Sequence, residues 1–168
     1  TDELYEDEKA SRGIFVRYEN VIREYADILI KTHIRNDSKL NKARGKIYYI
    51  IKDGAECIKR EEQSVFIEKT GTYEVRLRIQ KPQLWSVKEP NLYELTVKTE
   101  FEDYKDYETL KIGIKDIRFT ERDCVLNGEK VLLTGCNRHQ DYPWIGNALP
   151  DSLQYRDAYM IKKAGWNI

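Results

Sequence analysis

Asn137-Arg138-His139 sets an amide, a guanidinium and an imidazole side by side, and it is the group in this chain best suited to hold a polar ligand. An imidazole nitrogen can donate or accept a hydrogen bond, so His139 can meet a hydroxyl in either role. The chain's other histidine, His33, falls inside an apolar segment and is most simply structural. The carboxyls nearest in sequence are Asp141, alone beside a loop, and Asp151, placed to cap a helix; neither reads as a catalytic group. Cys57, Cys124 and Cys136 form no CxxC pair and have no histidines at zinc spacing, so no structural metal site is expected. The cysteines read instead as small buried hydrophobes.

The elements that position this cluster begin with Asn127-Gly128, set between the apolar runs Cys124–Leu126 and Val131–Leu133. Asn and Gly both tolerate positive φ, so the pair predicts a two-residue type I′ hairpin. The second strand should run without a break into Asn137, Arg138 and His139, ending polar as strands do at the ligand-binding face of a β/α barrel. Pro143 to Pro150 reads as an irregular loop carrying Trp144. Asp151 or Ser152 would then cap a helix through Lys163, with lysines in its last turn and Gly165 as its C-terminal stop. Trp166-Asn167-Ile168 looks like the opening of a further strand.

Upstream the text is that of an all-β domain. Residues 1–12 are an acidic lead-in, and from Gly13 the apolar residues alternate: Ile14, Val16 and Tyr18, then Ala26, Ile28 and Ile30, then Tyr73, Val75, Leu77 and Ile79. Lys46–Lys52, Val65–Ile67, Leu92–Phe101 and Tyr107–Ile114 complete the set, and Asp53-Gly54 reads as a turn. This spacing predicts an immunoglobulin-like antiparallel sandwich over 13–113, without the antibody-type bridge because Cys57 is its only cysteine. A strand from Ile114 to Phe119 would open the second region, 114–168. A closed (β/α)8 barrel needs about 200 residues or more, so 114–168 is read as its incomplete first segments. The chain as a whole, which starts without methionine, is read as a fragment of a longer protein.

Lysine plus arginine equals aspartate plus glutamate at 29 each, interspersed rather than blocked. A nucleic-acid partner is therefore not expected. Nor is a membrane, since no apolar stretch approaches the roughly 20 residues that would cross one. The opening Thr-Asp-Glu-Leu-Tyr-Glu-Asp-Glu carries no secretory signal. The expected product is soluble, and its compartment (cytoplasmic, periplasmic or secreted) stays open.

Four stretches occur in an order that resembles glycoside hydrolase family 2, the family of β-galactosidases, β-glucuronidases and β-mannosidases. They are Leu84-Trp85-Ser86 with Glu89-Pro90-Asn91-Leu92-Tyr93; Gly113–Phe119; Leu126-Asn127-Gly128 through Gly135-Cys-Asn-Arg-His139; and Asp157 with Met160–Asn167. The resemblance implies a retaining glycosidase acting on a β-galactoside or related oligosaccharide, with its two catalytic glutamates beyond Ile168. It implies substrate contact by His139, with Arg138 and Asn137 orienting loops and strand ends around the site. Asn-Arg-His looks more like the β-galactosidases than the glucuronidases, which tend to carry Asn-Lys-His, whereas Gln140 stands where many β-galactosidases have glutamate. Trp144 has two readings, a ring stacked on a sugar face or a tryptophan packed under the barrel rim; Trp85 and Tyr93 are assigned to sandwich packing. No cofactor is expected in this stretch. Family members can use magnesium or sodium, and a homo-oligomer is a further expectation. The competing reading is a stand-alone immunoglobulin-like carbohydrate-binding or adhesion module, which leaves the hairpin, the polar cluster and the capped helix without a purpose.

Overall fold

The computed structural model describes residues 13–37, 42–102 and 104–167. The expected lead-in and Ile168 lie outside them, and Trp166 and Asn167, expected to open a further strand, form none. The chain divides into two compact units, Thr1–Asp116 and Ile117–Ile168.

The first unit is an immunoglobulin-like sandwich. Strands β1 (Ile14–Glu19), β2 (Tyr25–Arg35) and β5 (Thr70–Gln80) form one antiparallel sheet in the order β1-β2-β5. Strands β3 (Ala43–Asp53), β4 (Glu56–Ile67), β6 (Tyr93–Phe101) and β7 (Tyr104–Ile112) form the other, in the order β4-β3-β6-β7. The period-2 alternation read in the sequence supplies the inner faces. Ala26, Ile28, Ile30, Leu77 and Ile79 of one sheet face a core shared with Ile47, Tyr49, Ile51, Leu95 and Val97 of the other. Tyr93 is buried, and its hydroxyl accepts the Gln83 N–H at 2.8 Å.

Two strands are longer or differently placed than their apolar residues suggest. β4 extends back to Glu56, although only Val65–Ile67 were legible, because it is an edge strand whose outer positions are charged. It is held by main-chain pairing to β3 and by Lys46 against Glu62 at 3.0 Å. After β7 no strand begins at Ile114. That side chain is fully buried in the sandwich core, and its carbonyl accepts the Trp85 N–H at 2.8 Å. The Trp85 ring lies over Gly113, where an added Cβ would come within 2.9 Å of it, and Lys115 Nζ stands 5.0 Å from the ring centre.

Leu29, which interrupts the alternation of β2, faces outward with Asp27, yet both are buried. Glu19 pairs with Arg17 at 3.1 Å and Arg76 at 2.9 Å, the two residues that flank Leu29 in the register. Asp27 accepts two hydrogen bonds from Arg78, at 2.7 and 2.8 Å, and one from Asn20 at 3.0 Å. The Arg78 guanidinium in turn stacks on Tyr25, 4.0 Å from the ring centre.

The second unit holds a three-stranded antiparallel sheet, β10-β9-β8, built from β8 (Ile117–Phe119), β9 (Cys124–Leu126) and β10 (Glu129–Val131), and one helix, α1 (Asp151–Lys163). The hairpin is as expected: Leu126 pairs with Glu129, and Asn127 and Gly128 take φ of 51° and 85°. Among the described residues no barrel is closed. Short strands, a loop and a helix make an incomplete barrel start, and the architecture as a whole is mainly β.

Three expectations require correction. The helix begins at Asp151, so Pro150 occupies the capping position and no side chain caps it. Its other end closes as foreseen: Gly165 has φ of 89°, its N–H donates to the Lys162 carbonyl, and the Trp166 N–H donates to that of Ile161. This double bond pattern satisfies the last carbonyls of the helix. None of the cysteines is buried; Cys57 lies exposed on edge strand β4 and Cys136 is exposed in a stretch without regular structure. Finally, β10 stops at Val131, and residues 132–141 form no strand.

Candidate functional site

The stretch after β10 is held by a different device from a β-ladder. Asn167, beyond the helix, brackets Leu132 and Thr134. Its side-chain oxygen accepts the Thr134 N–H at 2.8 Å, its amide group donates to the Leu132 carbonyl at 2.9 Å, and its own main-chain N–H donates to the Thr134 carbonyl at 2.8 Å. One asparagine thus supplies the partners that a neighbouring strand would, which keeps these backbone groups satisfied. The polar cluster therefore emerges from an extended segment pinned by Asn167 rather than from a strand end.

Of the three residues singled out, Arg138 is half-buried and lies against α1. Its Nε and Nη2 reach Asp157 Oδ2 at 2.8 and 2.7 Å, and its Nη1 donates to Gln154 Oε1 at 2.7 Å. Gln154 and Asp157 are three residues apart on the helix, hence on one face. Tyr142 donates its hydroxyl to the other carboxylate oxygen, Asp157 Oδ1, at 2.9 Å. The hydrogen bonds from Arg138 and then Tyr142 hold the Asp157 carboxyl below the usual carboxylate range. The same contact to Asp157, with some burial, pushes the Tyr142 hydroxyl up. Both shifts favour the carboxylate and the neutral phenol, so the contact persists at neutral pH.

Asn137 and His139 are exposed, and neither makes a hydrogen bond to a described residue. Gln140 and Asp141 are exposed as well. Trp144 is fully exposed at φ 77°, packed under nothing in its own unit. His33 stays in β2, where Nδ1 and Thr72 Oγ1 share a hydrogen bond of 2.8 Å across the β2–β5 pair. No three His, Cys, Asp or Glu side chains gather as a metal-binding group among the described residues.

Tyr142, Gln154 and Asn167 were not legible as members of this constellation. Tyr142 sits in a loop whose course is set by its own pairing with Gly146, and Asn167 acts from the far side of the helix. The spacing of Gln154 and Asp157, three apart on a helix downstream of Arg138, was the one available signal.

The fold alone does not define a function; the comparisons supply the family. The chain belongs to the glycosyl hydrolases family 2, whose family profile matches residues 12–115. It is 31% identical to a β-galactosidase of Thermoanaerobacterium thermosulfurigenes over 163 residues, 96% of this chain and 20% of that protein. A β-galactosidase of Thermoanaerobacter pseudethanolicus is 36% identical over 89 residues, 52% of this chain and 12% of the relative. Among solved structures, a Bacteroides uniformis β-glucuronidase superposes with a TM-score of 0.85 at 25% identity, covering 94% of this chain and 20% of that one. A family 2 member from Bacteroides cellulosilyticus gives 0.84 at 27% identity, covering 92% and 20%. The chain therefore spans a fifth or less of the length of these curated relatives.

Proposed function

We propose that this chain is the central sandwich and the opening of the catalytic barrel of a retaining family 2 glycosidase that acts on terminal β-galactosides. The observation that carries the reading is the arrangement of Asn137-Arg138-His139: one member anchored to α1 by a carboxylate, and the imidazole left exposed beside it. A retaining enzyme needs two carboxyl groups about 5–5.5 Å apart, one donating a proton to the leaving oxygen and the other attacking the anomeric carbon. In this proposal both belong to later parts of the longer protein. What these residues contribute is a scaffold and, from His139, a hydrogen bond to a sugar hydroxyl that strengthens as the ring distorts toward the transition state.

The 31% identity to one β-galactosidase over 96% of this chain supports galactose as the sugar. The likeness to a β-glucuronidase structure favours a second reading, a glucuronidase; Arg138, where glucuronidases tend to carry lysine, weighs against it. A panel of aryl glycosides offered to the full-length protein separates the two, and turnover of neither class would sink both. A module without enzyme activity is the reading that survives if the parent protein lacks two glutamates at later barrel-strand ends. Any magnesium or sodium the enzyme uses would be held by residues outside those described, and a homo-oligomer is a further expectation for the full-length protein.

The His139 role has its own test. His139→Ala in the full-length enzyme should lower kcat/KM tenfold or more, since one hydrogen bond lost in the transition state is worth on the order of 1–3 kcal/mol. This chain alone should release no chromophore from an aryl β-galactoside; turnover above a buffer blank would overturn the placement of the catalytic pair.

A further inference from the structure

We propose that Asp157 is a positioning residue that clamps Arg138–Tyr142 into a fixed arch and thereby aims His139; the inference rests on the reading of His139 as a sugar contact. Both ends of the arch meet the same carboxylate. Oδ2 holds Arg138 through two guanidinium nitrogens, at 2.8 and 2.7 Å, and Oδ1 holds the Tyr142 hydroxyl at 2.9 Å. Gln154, one turn earlier on α1, takes the remaining Arg138 contact at 2.7 Å. The guanidinium is fixed in direction by two hydrogen bonds, Nε to Asp157 and Nη1 to Gln154, and the Nη2 contact adds charge attraction. The Tyr142 end is fixed a second time, because its N–H donates to the Gly146 carbonyl at 3.2 Å and its carbonyl accepts the Gly146 N–H at 2.9 Å.

Between these anchored ends stand His139, Gln140 and Asp141, all exposed and without a hydrogen bond to any described residue. His139 stands one residue from the anchored Arg138, so the direction of its imidazole follows from how the arch is held. A loose segment would surrender its backbone freedom when ligand binds, and the clamp removes that freedom beforehand. Gln154 and Asp157 of α1 supply both of the helix's contacts to Arg138.

The test is a set of variants in the full-length enzyme, read as kcat and KM separately with thermal unfolding as a control on the fold. Asp157→Ala should lower kcat/KM about tenfold, Asp157→Glu should recover part of that loss, and Tyr142→Phe, which frees one end only, should cost two- to threefold. The double variant Asp157→Ala with His139→Ala should be no slower than His139→Ala alone, because the clamp acts through the imidazole. Full additivity of the two would overturn the clamp, as would wild-type kinetics in Asp157→Ala while His139→Ala is impaired. Wild-type kinetics in His139→Ala would instead overturn the substrate reading on which the clamp rests. Should Asp157→Ala fail to fold, Tyr142→Phe decides: a two- to threefold loss in kcat/KM that disappears in the His139→Ala background supports the clamp, and no loss, or one that persists there, overturns it.

Discussion

The sandwich and the unit that follows it are stabilised in opposite ways. The first is held by burial: Ile28, Ile30, Ile47, Tyr49, Ile51, Leu77 and Leu95 are all fully enclosed between two sheets whose strands reach twelve residues. In the second, whose strands are three residues each, Leu126 is the one buried apolar side chain among the described residues. Its cohesion comes from polar anchors, Asn167 on Leu132 and Thr134, and Asp157 with Gln154 on Arg138. Meanwhile Leu132, Trp144, Tyr155 and Tyr159 lie open to solvent. Enclosed apolar area gives a rigid frame, whereas the second unit owes its cohesion to a few hydrogen bonds between residues distant in the chain. The difference separates a unit that tolerates the loss of a polar contact from one that depends on it.

The contrast can be broken most directly in the core. Leu77→Ala should cost about 2–5 kcal/mol, the transfer term plus the cavity left behind, and chemical denaturation followed by sandwich tyrosine fluorescence would measure it. A cost near zero would mean that the core is not what holds the first unit. Next in size is Asp27→Asn, which removes the charge that Arg78 and Asn20 surround and should cost about 1.5–3 kcal/mol at neutral pH. The hydrogen bonds from Arg78 and Asn20 hold this carboxyl at about 2 against an ordinary 3.8. A lowered folded-state pKa means that the stabilisation is fully present above about pH 4 and disappears as pH falls through 2. The gap between wild type and Asp27→Asn in thermal unfolding should therefore close across that window, and a gap constant with pH would refute the assignment.

In the second unit the expected effects shrink. Gly128→Ala places a Cβ at a φ of 85° and should cost about 1 kcal/mol. The loss should appear in exchange protection of β9 and β10 and leave the sandwich transition unmoved. Smallest is Tyr159→Ala on the exposed helix surface, expected within about 0.5 kcal/mol. A larger loss there would show that this surface is covered, and would blur the distinction between the units.

Much of the frame was legible because a strand with one face in a core must alternate. The repeats at Ala26–Ile30 and Tyr73–Ile79 mark β2 and β5 for that reason. Edge strand β4 escaped, since Arg60, Glu61 and Glu62 are exposed and Lys59 is only half-buried, and their order depends on a neighbour. Leu29 broke the pattern: it is buried on the outer face of β2, between Arg17 and Arg76 in the register. At the candidate site the residue types of Asn137, Arg138 and His139 were readable, but their support was not. Asp151 illustrates why: in sequence it has the chemistry of a cap, yet the backbone enters the helix one residue earlier, at Pro150.

The sequence by itself determined the sandwich, the Asn127-Gly128 turn, the glycine stop at the end of α1 and the polar types of the cluster, because these follow from local conformational preference and from the period of burial. Tertiary structure decided that strand β10 ends early, that Asn167 takes the place of a neighbouring strand, and that Asp157 gathers Arg138 and Tyr142. Those are hydrogen bonds between groups far apart along the chain. Their partners are chosen by where the backbone brings a carboxylate or an amide within about 3 Å, a distance that no local spacing encodes.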